Sequence, residues 1–264
     1  MGLSEKKERL RNLINAQKRI LVALSGGLDS TVLLAFIKAE CRVDVCAYMV
    51  LMDMLPPSEI ARSREFCEKW DIPFFTCVLH ELQLDGFQNN PPDRCYLCKR
   101  ALFSLVQNEA KQRDIHYIAD GSIVDDLDDY RPGMKALKEL SIASPLLECG
   151  FTKEDVVEMG DAYGIELAHQ QKFSCYYTRF KTGSQICREL FEVIRKTEEY
   201  LMKEGCKRVR VRVADDCARI EVDANDIEKV AKPFVRKRIL KQLAQGRFSH
   251  VVLDMEGYQQ GSMN

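Results

Sequence analysis

No apolar run among the 264 residues approaches the roughly 20 needed to cross a bilayer, so no membrane span is expected. Met1 to Arg19 is too charged for a signal peptide, and its Leu10, Leu13 and Ile14 read as one stripe of a helix. The expectation is a cytoplasmic protein. Basic charge is not in excess either: 39 Lys and Arg face 40 Asp and Glu, leaving a net charge of −1. Coating a polyanion needs a clear basic surplus, so nucleic acid is not the expected partner, although local patches are compatible with this balance. Histidine is scarce. His80, His116, His169 and His250 are scattered singly, and none pairs into a metal motif. A disulfide framework is not expected, because the 11 cysteines are odd in number and no export signal accompanies them. Most should be small buried hydrophobes. There is no internal repeat and no low-complexity tract.

What is present is an alternation of strands and helices. Strands are expected at Ile20–Leu24, Val43–Leu51, Phe74–Leu79 and His116–Ala119. Helices are expected over Ser30–Lys38, from Ser58 to Trp70, from Asp93 to Arg113, and from a Thr152 cap with Asp155 at the capping-box position to near Gly164. This order implies an α/β fold with a Rossmann-like parallel sheet covered on both faces. After Lys181 the pattern changes to a long helix, Ser184–Glu204, two strands, Arg208–Val213 and Ala218–Val222, a helix, Asp226–Gln245, and a last strand, His250–Asp254. The expected domains are residues 1–181 and a smaller α+β unit, residues 182–264.

Ser25-Gly26-Gly27-Leu28-Asp29-Ser30 follows the first strand and opens a helix. Two glycines let backbone N–H groups converge on an anion, and the helix N-terminus adds partial positive charge. Ser25 and Ser30 can donate hydroxyl hydrogen bonds; Asp29 can hold Mg2+ or fix the loop. A glycine turn that binds nothing is the bland alternative. The loop is not a Walker A motif, since it lacks the lysine that motif needs. The six-residue string resembles the signature of the PP-loop ATP pyrophosphatases. That resemblance implies ATP split between its α- and β-phosphates, an adenylated intermediate, and a nucleotide at the carboxyl ends of the strands.

Cys95-Tyr96-Leu97-Cys98 sits at a helix start, behind Pro91-Pro92 and beside Arg94, Lys99 and Arg100. Such a location lowers thiol pKa. A zinc half-site, a redox dithiol, an iron–sulfur half-site and two merely buried thiols all remain open. Cys175, in the polar and aromatic segment Lys172–Arg179, is the remaining partner candidate. Three thiolates would hold a cubane cluster with one iron uncapped, since full protein ligation takes four.

The whole chain resembles the LarE family of ATP-dependent sulfur transferases. The match runs through Leu24–Ser30, Arg94–Lys99, Asp120-Gly121-Ser122 with Asp125-Asp126, Tyr130-Arg131-Pro132-Gly133, Ser144-Pro145-Leu146, Cys175–Arg179, Arg208–Arg212, Ala218–Glu221, Asp254–Tyr258 and Gly261-Ser262-Met263. The resemblance implies an enzyme that adenylates a carboxylate of a pyridinium mononucleotide and delivers sulfur to it, in synthesis of a nickel-pincer cofactor. One subgroup sacrifices a single cysteine at the position of Cys175. Another has three cysteines and carries a 4Fe–4S cluster whose free iron holds sulfide. Cys95, Cys98 and Cys175 fit the second pattern, and Tyr176-Tyr177-Thr178 departs from the first. The cofactors so implied are ATP, Mg2+ and the cluster; relatives form homo-oligomers.

Gly121 is expected at the nucleotide, and Arg131 and Lys153 at the ATP phosphates, with a surface role as the alternative for the last two. Arg208, Arg210 and Arg212 alternate with valines, which puts them on one strand face. A solvated face is one reading; the resemblance points instead to phosphate binding by Arg210 and Arg212. Asp125, Asp126, Asp128 and Asp129, and separately Glu221 with Asp223, are candidate metal carboxylates or solvated acids. Three other functions share parts of this pattern. They are a tRNA thiolase, an amide-forming ligase indifferent to the cysteines, and a nucleotide sensor that releases no pyrophosphate.

Overall fold

The computed structural model describes residues 2–127, 133–166 and 175–259. Within them the chain forms two compact units, one from residues 2–81 and 95–166, the other from residues 82–94 and 175–259.

The first unit is built on a four-stranded parallel sheet: β1 (Arg19–Ala23), β2 (Asp44–Met52), β3 (Phe74–Leu79) and β4 (Tyr117–Ala119), in the order β3-β2-β1-β4. Ile20, Leu21 and Val22 have no exposure, so β1 is covered on both faces, as a parallel strand between helical layers must be. The helices are α1 (Leu3–Asn15), α2 (Leu28–Glu40), α3 (Pro57–Lys69), α4 (Arg94–Gln112), α5 (Gly133–Glu139), α6 (Pro145–Glu148) and α7 (Lys153–Ala162). Residues 28–37 of α2 are almost continuously buried, which makes it the central helix of the core. The expected capping box opens α7: Thr152 Oγ1 accepts from the Asp155 N–H, and the Asp155 carboxylate accepts from the Thr152 N–H at 2.8 Å. The strand order reverses between β1 and β4. Their carboxyl ends therefore form the switch point, where α/β sheets bind ligands.

The second unit has a three-stranded sheet, β5 (Val209–Ala214), β6 (Cys217–Val222) and β7 (His250–Leu253). β6 is antiparallel to β5 and parallel to β7. α8 (Arg188–Lys203), α9 (Ile227–Ala231) and α10 (Pro233–Leu243) complete it. Three details differ from the sequence reading. Residues 82–94 and 175–181 group with this unit rather than with the first, because the Lys181 N–H bonds the Val213 carbonyl at 3.0 Å and Phe180 bridges to Val213. The long helix begins at Arg188, four residues after the expected Ser184, because the main chain of Gly183 and Ile186 donates to Asn90 and Gln88 instead. The helix expected over 226–245 is broken at Lys232, whose ψ of 138° is the extended conformation forced on a residue before proline.

Glu40 ties three helices of the first unit together. It accepts from Lys7 at 2.6 Å and pairs with Arg11, both on α1, and it accepts from Tyr163 just beyond α7. Burial pushes its pKa up, but the hydrogen bonds from Lys7, Tyr163 and Arg11 outweigh that and hold it below the ordinary 4.5. A depressed carboxylate stabilises the fold above its unfolded pKa and loses that contribution as pH falls through the folded value. Glu40→Gln is expected to cost about 1–2 kcal/mol at pH 7, with the gap to the parent closing as pH falls below 4.5. Urea unfolding at a series of pH values measures this; a gap that persists at low pH would refute it.

Candidate active site

Leu24 still pairs with β2, its N–H donating to the Tyr48 carbonyl at 2.9 Å. The chain then turns through Gly26, whose φ of +80° only glycine takes without strain, and Gly27 caps α2. Serine hydroxyls lock the turn. Ser30 Oγ lies 3.1 Å from Ser25 Oγ and accepts from the Ser25 N–H at 3.2 Å; Ser25 Oγ accepts from the Gly27 N–H at 3.3 Å. Thr31 Oγ1 donates to the Gly27 carbonyl at 2.8 Å. The first turn of a 13-residue helix thus faces the loop with unspent N–H groups, an anion-binding arrangement.

Asp29 and the neighbouring turns complete the site. The Asp29 carboxylate pairs with Lys153 Nζ, and the Lys153 N–H donates to Asp125 at 2.9 Å. A cation is thereby stationed beside the loop, and Asp29 fixes the loop. Gly121 lies directly on it: a Cβ there would stand 2.6 Å from the Ser30 nitrogen and 2.8 Å from its Cα. Buried Asp120 accepts from Ser122 Oγ at 2.5 Å and from Ser144 Oγ at 2.7 Å. This network joins the Asp120-Gly121-Ser122 and Ser144-Pro145 turns. Sequence spacing does not show that contact, because 24 residues separate its partners. Asp126 caps its own turn through the Ile123 N–H at 3.1 Å. Arg131, Asp128 and Asp129 lie outside the described residues.

The cysteines divide by exposure. Burial pushes the thiols of Cys41 and Cys46 up to about 11 and that of Cys67 up to about 12, and it raises those of Cys149 and Cys206. Cys46, Cys67, Cys149 and Cys206 are buried packing residues, and Cys41 is half-buried. Cys95, Cys175 and Cys187 are exposed and Cys98 is half-buried. Cys95 and Cys98 lie one turn apart in α4, with Cys98 Sγ 3.7 Å from the sulfur of Met52 at the end of β2. Cys175 stands at the head of a short 3-10 turn, Tyr176–Arg179. Its carbonyl accepts from Thr178 Oγ1 at 2.7 Å and from Arg179 Nη1 at 3.2 Å. Cys187, which the sequence reading passed over, caps α8. The donor chemistry of Cys95, Cys98 and Cys175 suits an iron–sulfur cluster. Among the described residues, however, no three Cys, His, Asp or Glu side chains form a group that could hold a metal ion.

The arginines of β5 are not a solvated face. Arg210 and Arg212 are buried, as are Arg179, Glu198 and Glu221. Arg179 is bidentate to Glu198 with both contacts at 3.0 Å; Arg212 Nε donates to Glu221 at 3.0 Å, and its Nη1 to the Thr178 carbonyl at 2.8 Å. Glu221 is therefore an arginine partner, not a free metal carboxylate, and Asp223 pairs with Arg208 at 2.6 Å. Three buried guanidiniums face two buried carboxylates, which leaves one positive charge in excess. Arg210 carries it. Among the described residues no carboxylate pairs with Arg210, whose guanidinium lies 5.3 Å from the Tyr258 ring centre. Burial, with Arg179 next, lowers its pKa. A buried unpaired charge costs stability unless an anion joins it. Millimolar phosphate is expected to stabilise the parent, and Arg210→Met is expected to raise the stability of the ligand-free protein by about 1–3 kcal/mol and to abolish that response. Thermal melts with and without phosphate test both signs; a destabilised variant that still responds to phosphate would refute them.

A Ser-Gly-Gly-x-Asp-Ser loop at the switch point of a parallel sheet defines the class, a PP-loop ATP pyrophosphatase. The relatives narrow it. The chain is 30% identical over 262 residues to an uncharacterized protein of Synechocystis, covering 99% of this chain and 98% of that one. It is also 30% identical over 263 residues to the pyridinium-3,5-bisthiocarboxylic acid mononucleotide synthase of Lactiplantibacillus plantarum, covering 99% and 95%. The tRNA-specific 2-thiouridylase of Geotalea uraniireducens is 24% identical over 59% of this chain and 52% of its own length. No family model matches the chain. The protein belongs to the LarE-like family of PP-loop ATP pyrophosphatases, which are ATP-dependent sulfur-inserting enzymes. No helix among the described residues is long and apolar enough to cross a membrane.

Proposed function

We propose that this protein activates a carboxylate of a pyridinium mononucleotide with ATP and inserts sulfur into it, in the cytoplasm. The observation that carries the reading is full-length similarity to a synthase of that kind, in a chain whose second unit holds a buried, unneutralised arginine. The substrate carboxylate attacks the α-phosphorus of ATP, and pyrophosphate leaves. The loop Ser25–Ser30, Gly121 and Lys153 surround the nucleotide, and Mg2+ at Asp29 would require Lys153 to give up that carboxylate. Arg210 and Arg212 take the phosphate of the mononucleotide. A sulfur nucleophile then attacks the acyl carbon and AMP leaves, giving a thiocarboxylate.

Two sources of sulfur are chemically distinct. Cys95, Cys98 and Cys175 are the residues that would hold a 4Fe–4S cluster, which when bound supplies an iron able to carry sulfide. Alternatively the Cys175 thiolate attacks the acyl carbon itself. Removal of its Cα proton then breaks the Cβ–S bond, leaving dehydroalanine at 175 and sulfur on the product. The exposure of Cys175 supports this second route. The homo-oligomer implied by the family is part of the same proposal; Phe234 and Met255, largely exposed, offer apolar area for a second copy to cover.

The test is anaerobic purification, iron and sulfide analysis, and turnover with MgATP, sulfide and a pyridinium dicarboxylate mononucleotide. Pyrophosphate release and a thiocarboxylate product support the reading. Thiolated tRNA, or an amide formed with ammonia, would replace it. Iron lost on Cys95→Ala supports the cluster, and dehydroalanine at 175 the sacrificial route.

A further inference from the structure

Residues 82–94 join the second unit although the chain on either side of them belongs to the first. A short set of hydrogen bonds centred on Asn90 holds them there, and its side chain has no exposure. Asn90 Nδ2 donates to the carbonyls of Phe180 and Lys181, each at 3.0 Å. The Asn90 carbonyl accepts from the Gly183 N–H at 3.0 Å, and the Gln88 carbonyl from the Ile186 N–H at 2.8 Å. Arg94 Nη1 donates to Thr182 Oγ1 at 3.4 Å.

Asn90 has φ +46°, a left-handed conformation that asparagine tolerates better than most residues. The turn alone would be served as well by glycine. The amide adds a donor for the buried Phe180 carbonyl, whose loss would cost about 1–3 kcal/mol. It adds a second donor for the Lys181 carbonyl, which also accepts from the Ser184 N–H at 3.0 Å and from Ser184 Oγ at 2.6 Å. These carbonyls belong to the segment that Cys175 opens. Asn90 stands five residues before Cys95, and Phe180 five residues after Cys175. One side chain therefore sets the course of the chain as it leaves the Cys175 turn. The same exit segment presents the Thr178 carbonyl to Arg212.

We propose that Asn90 is a positioning residue for sulfur delivery, holding Cys175 at a fixed place beside Arg179 and Arg212 without itself touching substrate. This rests on the function proposed above. Two variants of the full chain test it. Asn90→Gly keeps the left-handed turn and removes the amide; Asn90→Asp keeps the shape and replaces the donor with an oxygen facing two carbonyls. In the folded variants, judged by circular dichroism, ATP-dependent pyrophosphate release should stay within about 2-fold of the parent while thiocarboxylate formation falls about 100-fold, as expected for displaced reacting groups. The alkylation rate of Cys175, exposed in the parent, should change by at least about 3-fold as its turn shifts relative to the Arg179 guanidinium, with Cys217, half-buried at the start of β6, as the unchanged internal reference. A folded variant with parental sulfur transfer and parental Cys175 alkylation overturns the proposal. So does pyrophosphate release that falls in step with sulfur transfer, since Asn90 would then support the whole fold. Should the parent itself release no pyrophosphate with any such mononucleotide, the proposed function fails separately, and the alkylation rates alone decide on Asn90.

Discussion

Cys175→Ser is expected to lower sulfur incorporation at least ~1000-fold while leaving ATP-dependent pyrophosphate release intact. The hydroxyl can neither give up sulfur nor bind iron as a thiolate does. The substitution should be structurally mild, because the turn is held through the carbonyl of residue 175, which accepts from Thr178 and Arg179 and is unchanged by it. Its neighbours are locked independently. Tyr176 meets Phe191 edge-on at 4.9 Å, and Tyr177 meets Phe87 at 4.8 Å. A change in unfolding free energy within about 0.5 kcal/mol is therefore expected. The measurements are product mass and pyrophosphate release on one sample. Retention of a tenth of the parental sulfur transfer would exclude Cys175 from the chemistry. Cys187→Ser, at an equally exposed cysteine, is the matched control and should be silent. Cys95→Ser and Cys98→Ser separate the two sulfur sources. Both lose activity if a cluster is required, and both keep it if Cys175 alone is consumed.

Gly121→Ala should affect the other half-reaction. The added methyl would meet the Ser30 nitrogen at 2.6 Å and its Cα at 2.8 Å, and these are main-chain atoms in the first turn of α2 that cannot rotate aside. Either the loop or the Asp120-Gly121-Ser122 turn must shift, and the ring of hydrogen bonds between Ser25 and Ser30 goes with it. Pyrophosphate release should fall ~100-fold or more, since a displacement near 1 Å is enough for such a loss. The variant should remain folded, because the core around α2 is continuous without that contact. ATP binding by calorimetry and pyrophosphate release check it; parental rates would mean that the two turns separate in the working enzyme.

Much of the fold was legible because its signals are local. β3 falls on the expected Phe74–Leu79, and the capping box at Thr152 and Asp155 is a pattern of neighbours. The phosphate loop was legible for the same reason: its glycines, serines and flanking strand and helix lie within a dozen residues. The split at Pro233 was equally local and was read through, because the apolar spacing on both sides continues the same helical stripe.

The features missed are those that depend on long-range partners. Nothing in the spacing of Arg208, Arg210 and Arg212 distinguishes a wet strand face from a buried one; that depends on Glu198 from α8 and Glu221 from β6 arriving opposite them. Nothing around Asn90 announces that it bonds residues 90 positions further on. By itself the sequence determined an α/β chain with an ATP-cleaving loop and three candidate thiols, because residue type and short-range order suffice for those. Only the tertiary structure decided which thiols are exposed, which arginine is left without a counter-charge, and which amide fixes the Cys175 turn. Burial and charge balance are sums over neighbours in space, and the linear order of residues does not contain those neighbours.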